Sequence, residues 1–300
     1  MTISTKVYND QAIASINRLS GELQTIQSKI STGKKQLRTS DDPAAASKII
    51  FAKEQKVRIE GFNKNIDRAK SKLMQSESAI ATVINATNRA YELTLQAKND
   101  TNSAEDRLII AMEVQSLRDE IFNLSNSRDS NGDYLFAGFK VTQKPFSMNV
   151  DGTIAVNGDR GAHLVQTSDT RKSPTGLDGQ EVFVGIRHGE TVESIFETFD
   201  ELISDLKKDS VNDQSVSKIS NALNHFNVQQ TKIGTSINGL DQQKDVNEKR
   251  MLLMDQDLSN MEDADLSKLV TELQGKLVSR NAAQQAFVKI SQESLFNYVR

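Results

Sequence analysis

Residues 219–261 read ISNALNHFNVQQTKIGTSINGLDQQKDVNEKRMLLMDQDLSNM, and this stretch decides the fold of the 300-residue chain. Its apolar residues follow one heptad register: Ile219, Leu223, Phe226, Ile233, Ile237, Leu240, Met251, Met254, Leu258 and Met261. Polar residues occupy the same register at Gln230, Lys244 and Asn247. A stripe of this period predicts one amphipathic helix, about 64 Å long at 1.5 Å per residue, which is longer than a compact globule of this size requires.

Two helix starts lie in the N-terminal half of the chain. Asp42 is placed to cap a helix, and Pro43 suits the first helical position because its missing N–H has no partner there in any case. A break at residues 99–102 precedes a second start, where Ser103 and Asp106 have the spacing of a capping box.

Long helices are also indicated by the positions of the prolines. Residues 44–144 and 175–300 contain none, and apolar residues recur there at helical spacing. We therefore predict a helical rod domain made of residues 43–133 and 191–262.

The middle of the chain has a different composition. Residues 134–190 hold eight of the 15 glycines and two of the 3 prolines. Short β-prone runs alternate with turn formers there, notably at 153–156 and 182–184. The sequence predicts a small, outer β-rich insertion domain over 134–190, and the fold class is mainly α.

The two ends of the chain carry coiled-coil seams of their own. The N-terminal arm, residues 1–42, and the C-terminal arm, residues 263–300, each have apolar residues at near-3.5 spacing. The seam residues are Ile16, Leu19, Leu23, Ile26 and Ile30 in the first arm, and Leu266, Leu269, Leu273, Leu277, Phe287 and Ile290 in the second. We interpret them as assembly seams, through which the ends pair with each other and with other subunits.

An isolated arm is too short to be stable. Burying one Leu or Ile contributes roughly 1.5–3 kcal/mol, whereas ordering each residue costs about 1–2 kcal/mol of backbone entropy. The five N-terminal seam residues therefore do not hold an isolated helix. We predict that both arms are disordered until assembly.

Composition narrows the classes of function. The net charge is 37 − 40 = −3, which gives no electrostatic argument for nucleic acid binding. There is no cysteine, so disulfides and thiolate chemistry are excluded. No stretch approaches the ~18 apolar residues of a membrane span, so we expect no membrane insertion. Residues 1–10 do not have the pattern of a cleaved secretory signal.

Motifs that carry chemistry are incomplete in this sequence. Residues 31–34 have part of a phosphate-binding loop, and residues 129–133 have part of a calcium loop. We interpret the first as a helix break and the second as a turn. His163, His188 and His225 have no metal-ligand spacing. We therefore predict no catalytic, cofactor-binding or metal-binding residues.

The order of several motifs resembles the bacterial flagellin superfamily. These are the N-terminal run Met1–Thr5, the segment 27–35, and Ser40-Asp41-Asp42-Pro43 followed by three alanines. The run Tyr134-Leu135-Phe136-Ala137-Gly138, with Pro145-Phe146 after it, is similar to the hook–filament junction family in particular. The C-terminal run 294–300 is also similar to that family's ending, although Phe296 and Val299-Arg300 depart from its Leu-rich form.

This resemblance implies a structural protein of the flagellum and no enzyme. In the family, a ring of copies joins hook-associated protein 1 to the flagellin filament. A cytosolic export chaperone and the flagellar type III channel deliver the subunits to this extracellular junction. The terminal arms form inner coiled-coil tubes, the middle helices form a rod domain, and the insertion forms an outer β domain.

Two alternatives remain open. Flagellin shares the arms and the Ser-Asp-Asp-Pro start, so those features do not separate it from the junction family. A soluble helical ligand-binding protein or enzyme would need convergent polar groups in a dry pocket, and the sequence has no such set.

Overall fold

The computed structural model describes residues 2–99 and 102–296. Seven helices are present in this part of the chain: α1 (Thr2–Thr32), α2 (Pro43–Ala97), α3 (Ala104–Ser125), α4 (Gly179–Phe183), α5 (Ile195–Lys207), α6 (Asp213–Glu262) and α7 (Leu266–Phe296). Six short strands complete it: β1 (Phe146–Met148), β2 (Ile154–Val156), β3 (Leu164–Gln166), β4 (Lys172–Pro174), β5 (Ile186–His188) and β6 (Thr191–Glu193). The predicted fold class, mainly α with a small β insertion, is confirmed. Part of the predicted break at 99–102 and the ending 297–300 lie outside the described residues, and so does Met1.

Both predicted helix starts are confirmed. The Asp42 carboxylate accepts the N–H groups of Ala44 and Ala45, at 3.1 and 3.0 Å, and Pro43 is the first residue of α2. Ser103 and Asp106 form a reciprocal capping box at the start of α3. Each cap satisfies N–H groups that have no partner within the helix.

Residues 59–249 form one compact unit around a hydrophobic core. Helix α2 contributes Ile66, Leu73, Ile80 and Val83, and α6 contributes Ile219, Phe226, Ile233 and Leu240. Helices α3 and α5 pack against each other in the same unit. The heptad register of α6 therefore lies in the core at these four positions.

The six strands form three antiparallel hairpins. They are β1–β2, β3–β4 and β5–β6, each a separate two-stranded sheet. Strand β2 coincides with the predicted run at 153–156. In the first hairpin Ser147 is paired with Ala155.

The strand predicted at 182–184 is wrong. Residues 179–183 form the short helix α4, because the Asp178 carboxylate accepts the N–H groups of Gln180 and Glu181. This helix carries Val182 and Phe183, and both side chains are fully buried. A helical turn satisfies their backbone groups locally, so burial does not require a strand partner.

The helix predicted to resume at Thr191 starts four residues later. Thr191–Glu193 is strand β6, paired with β5. Ser194 then caps α5 through the N–H of Glu197, and Glu197 bonds back to the N–H of Ser194. This capping box sets the helix start at Ile195.

The insertion shares its core with the helices. Phe146, Phe183 and Ile186 are buried in the same cluster as Phe196 and Phe226. The ring of Phe183 lies 5.5 Å from that of Phe146 and 5.9 Å from that of Phe226. The insertion is thus packed as part of the 59–249 unit, and its predicted limits as a domain, 134–190, remain a prediction.

The second compact unit takes the described residues up to Arg58 and those from Arg250 onward. It contains α1, the first turns of α2, the last turns of α6, and α7. The described parts of the predicted arms, 1–42 and 263–300, fall inside this unit, and the limits of the arms also remain predictions.

Candidate assembly interface

Helices α1 and α7 pack against each other along the second unit. All five N-terminal seam residues lie on the less exposed side of α1. Leu23 and Ile26 are only 3% and 6% exposed, and Ile16, Leu19 and Ile30 are half-buried. The heptad positions of α1 therefore form the side that faces α7.

The C-terminal seam is divided between covered and exposed positions. Leu269, Leu273, Leu277 and Phe287 are half-buried. Leu266 and Ile290 are exposed. Pairing of α1 with α7 therefore leaves apolar surface of this seam uncovered.

An ion pair flanks the two seams. The Lys276 ammonium lies 2.6 Å from the Glu22 carboxylate, and this bond lowers the pKa of Glu22 below its ordinary value. Glu22 precedes Leu23 and Lys276 precedes Leu277, so both charges border the apolar contact. This pair was not predicted from the sequence, although opposite charges beside two matching seams are a recognisable signal.

The inner ends of the two arms are joined by backbone hydrogen bonds. The N–H of Lys35 donates to the carbonyl of Glu262, and the N–H of Ala264 donates to the carbonyl of Gly33, both at 2.8 Å. Gly33 has φ +68°, which suits glycine at the end of α1. The break predicted at residues 31–34 is therefore the point at which the two arms meet.

Glu262 is the charged centre of this joint. Its carboxylate pairs with Lys53 and with Lys34. These contacts, chiefly the hydrogen bond from Lys53, lower the pKa of Glu262. The joint is thus held by both backbone and side-chain bonds.

The Ser40-Asp41-Asp42-Pro43 motif shapes the turn before α2. The Asp41 carboxylate accepts the N–H groups of Leu37 and Arg38, at 3.1 and 3.0 Å. Asp42 caps the helix, Pro43 begins it, and Ser40 lies exposed in the turn. The two carboxylates thus order the backbone, which accounts for their place in the sequence without acid–base chemistry.

The Tyr134–Gly138 motif is buried in the other unit. Tyr134, Leu135, Phe136 and Ala137 are all in the core set, and the ring of Phe136 contacts that of Phe183 at 5.1 Å. The guanidinium of Arg128 lies 4.4 Å from the ring centre of Tyr134. The motif therefore packs the interior of the unit.

Gly138 closes this motif at a crowded position. It has φ +68°, and a Cβ there would lie 2.1 Å from the Asp159 carbonyl oxygen. The Asp159 carboxylate also accepts the N–H groups of Phe139 and Lys140. Only glycine satisfies both the left-handed backbone and the close approach.

A polar cleft of about 310 Å³ lies between α5 and α6 and is lined by Glu201, Asp205 and Lys218 among others. Within residues 2–99 and 102–296, no group of three or more His, Asp and Glu side chains is arranged to hold a metal ion. In the same ranges, every helix lacks the apolar length that crossing a bilayer needs.

The chain is similar in sequence to known proteins of the bacterial flagellum. Residues 3–141 match the family model of the bacterial flagellin N-terminal helical region. The chain is 27% identical to flagellar hook-associated protein 3 of Escherichia coli K12, over 99% of both chains. It is 26% identical to the protein of the same name from Salmonella typhimurium, over 100% of both chains. A flagellin of Clostridium tyrobutyricum is 26% identical but covers 63% of this chain and 50% of its own length.

A solved structure shows the same fold. The crystal structure of flagellar hook-associated protein 3 from Legionella pneumophila aligns with a TM-score of 0.67 at 19% identity, covering 71% of this chain and 98% of that one. The fold is that of the Legionella pneumophila protein. The resemblance to the hook–filament junction family is confirmed: the chain is similar over its whole length to flagellar hook-associated protein 3, and flagellins are more distant.

Proposed function

We propose that this chain forms the junction between the flagellar hook and the flagellin filament. The observation that carries the proposal is the paired chain ends, in a chain similar to hook-associated protein 3 over its whole length. Hook-associated protein 1 is its partner on the hook side and flagellin its partner on the filament side. Copies of the chain form a ring between them, outside the cell.

The terminal arms order when the ring forms. Residues 1–42 and 263–300 are disordered in the free subunit and become paired helices beside neighbouring subunits. A single pair of helices buries one stripe of each, and helices without further packing are marginal in water. Leu266 and Ile290, exposed on the α1–α7 pair, are surface that neighbouring subunits would cover.

Disorder of the arms in the free subunit also permits export. A disordered arm can enter a narrow channel that a folded unit cannot. A cytosolic chaperone would cover the apolar seams before export, because exposed apolar stripes promote aggregation. The subunit has no catalytic activity, since its seams are apolar and its motif carboxylates accept backbone N–H groups.

Deletion of the gene tests the proposal. We expect cells with hooks but no filaments, and unpolymerised flagellin in the medium. A plasmid copy of the gene should restore filaments. Normal filaments on the deletion strain would exclude a junction role.

Flagellin itself is the second candidate, because the matching family model is that of the flagellin N-terminal region. Copy number separates the two roles. A junction ring contains few copies per filament, whereas a filament subunit is present in thousands. Quantitative blotting of purified flagella against this chain and against flagellin distinguishes them.

A further inference from the structure

The tip of the β5–β6 hairpin, residues 187–192, is attached to the helices through one imidazole. Every residue of the tip except His188 is exposed, whereas the His188 side chain is only 6% exposed. Its Nε2 lies 3.4 Å from the hydroxyl oxygen of Thr198 in α5, and its Nδ1 lies 3.4 Å from the side-chain nitrogen of Asn221 in α6. The imidazole therefore joins the tip to both helices.

These two neighbours fix the position of the ring proton. The Thr198 hydroxyl donates its own hydrogen to the carbonyl of Ser194, at 3.0 Å, so its oxygen is left to accept a hydrogen bond from Nε2. The side-chain nitrogen of Asn221 is a donor only, so Nδ1 must accept. The closed hairpin thus requires a neutral His188 with its proton on Nε2.

A second proton would enter the ring at Nδ1, where Asn221 already donates. Two N–H groups would then face each other, and the hydrogen bond between them would be lost. A buried donor without an acceptor is costly. Protonation of His188 is therefore opposed by the geometry of the closed tip.

The charges around His188 do not reverse this preference. Glu193 of β6 lies 3.9 Å from Nε2, and both of its carboxylate oxygens accept hydrogen bonds from Lys218 of α6, at 3.0 and 2.9 Å. Lys218 also pairs with Glu201 of α5. Burial lowers the pKa of His188 below its ordinary value of 6.5, and the Lys218 charge adds to this effect, while Glu193 and Glu201 oppose it.

We propose that His188 is a pH-sensitive latch: when neutral it holds the tip against α5 and α6, and when it gains a second proton it releases residues 187–192. A two-stranded hairpin without further packing is marginal in water, so the released strands also lose their pairing. Ile186, directly before the tip, is fully buried in the core, and the 59–249 unit stays folded around it. The latch acts within one subunit and is independent of the junction role.

Release of the tip changes a charged and apolar surface of the subunit. Arg187, Glu190 and Val192 are exposed on it. In the open tip the pKa of His188 returns to its ordinary value, so the open form binds a proton that the closed form does not. The open fraction therefore rises as the pH falls below 6.5, by at most about tenfold for each pH unit.

Hydrogen exchange of the purified full chain, measured by mass spectrometry, tests the latch. Protection of residues 186–193 is compared at pH 7.5 and pH 5.5, after correction for the intrinsic pH dependence of exchange. We expect this segment to lose protection by up to about tenfold at pH 5.5. The β1–β2 hairpin, residues 146–156, contains no histidine and should keep its protection.

Three variants identify the titrating group. Glutamine does not titrate, so His188→Gln should show the same protection of 186–193 at both pH values. Asn221→Asp places an acceptor and a negative charge opposite Nδ1, so this variant should not lose protection as the pH falls. His163→Gln, at an exposed histidine, is the matched control and should respond as the wild type does.

Several outcomes would overturn the latch. Equal losses of protection in the two hairpins would mean that the whole unit opens, and unchanged protection of 186–193 in the wild type would mean that acid does not release the tip. A pH response kept in His188→Gln, or lost in His163→Gln, would assign the titration to another group. If His188→Gln does not fold, Asn221→Asp decides, because a loss as large as that of the wild type would contradict the role of Nδ1.

Discussion

Gly138 illustrates how a short motif carries structural information. Four buried residues precede it, and its left-handed backbone turns the chain where the Asp159 carbonyl approaches. The sequence shows the motif but not this neighbour, because Asp159 is 21 residues away and no local pattern links the two positions. The resemblance therefore located the motif, and the structure supplies its physical reason.

Gly138→Ala should destabilise the 59–249 unit much more than Gly132→Ala. Both glycines have positive φ, but a Cβ at Gly132 meets nothing within 4 Å. The left-handed backbone alone costs roughly 1–2 kcal/mol, and that is the change expected for Gly132→Ala. At Gly138 the backbone of Asp159 must also move. Urea denaturation of both variants measures the difference, and equal losses would contradict the close approach.

His225 should make stability depend on pH below neutrality. Burial lowers the pKa of His225 below its ordinary value of 6.5, although its Nε2 bonds to the carbonyls of Glu181 and Val182 oppose the shift. His225 therefore binds a proton more readily in the unfolded chain than in the folded chain. The stabilisation is complete above pH 6.5 and is lost as the pH falls below that value.

His225→Gln should flatten this part of the pH profile. The comparison is the melting temperature of the variant and the wild type between pH 7.5 and pH 5. The lowered pKa of Glu262 acts in a lower window, below its ordinary value of 4.5. An unchanged profile in His225→Gln would show that another group titrates.

Helices and hairpins differ in how well the sequence predicts them. The heptad pattern of α6 is long enough to predict both that the segment is a helix and how long the helix is. The run Val182–Val184 is too short for periodicity to distinguish a strand from a buried helix, and the Asp178 cap decides it. Thr191–Glu193 pairs with β5 across the two-residue turn at 189–190, a local hairpin that was not predicted from the sequence. Of the candidate interface, the sequence predicts the seams, but it does not show which stripe each neighbour covers.

Removal of residues 140–188 should abolish the cooperative unfolding of the 59–249 unit. The sequence alone favours the opposite result, since the insertion begins and ends at helices. The structure places Phe146, Phe183 and Ile186 in the shared core, and losing one buried Phe costs about 3–5 kcal/mol. Calorimetry of the deletion variant measures the transition. Val150→Ser, at a fully exposed hairpin position, is the control and should melt as the wild type does.

The two compact units differ in how much apolar surface they bury within one subunit. The 59–249 unit has a core of its own, with large residues from five helices. The unit that contains the chain ends relies on α1–α7 packing, in which most seam residues are only half-buried. A unit with less burial has a lower free energy of local unfolding. The sequence predicted unstable arms from this same shortage of apolar contacts.

Limited proteolysis of the free subunit should therefore cut the arms first. We expect cleavage before about residue 45 and after about residue 262, because helices with little packing open readily. One fragment that contains residues 59–249 should remain, and mass spectrometry of the fragments gives the cut sites. Resistance of both arms at protease levels that digest unfolded chains would show that they are ordered before assembly.

Leu23→Asp should separate the stability of the subunit from its assembly. Leu23 is 3% exposed and faces α7, so an aspartate there would place a charge in the apolar contact of the two arms. The residue lies outside the 59–249 unit, and the thermal transition of that unit should stay at the wild-type temperature. Incorporation into flagella should be lost, as it should in Leu269→Asp. Gln24→Asp, one residue away on the exposed side of α1, is the matched control and should support normal filaments. Melting of the 59–249 unit in Leu23→Asp, but not in Gln24→Asp, would mean that the arm supports that core directly and that its seam is not reserved for assembly.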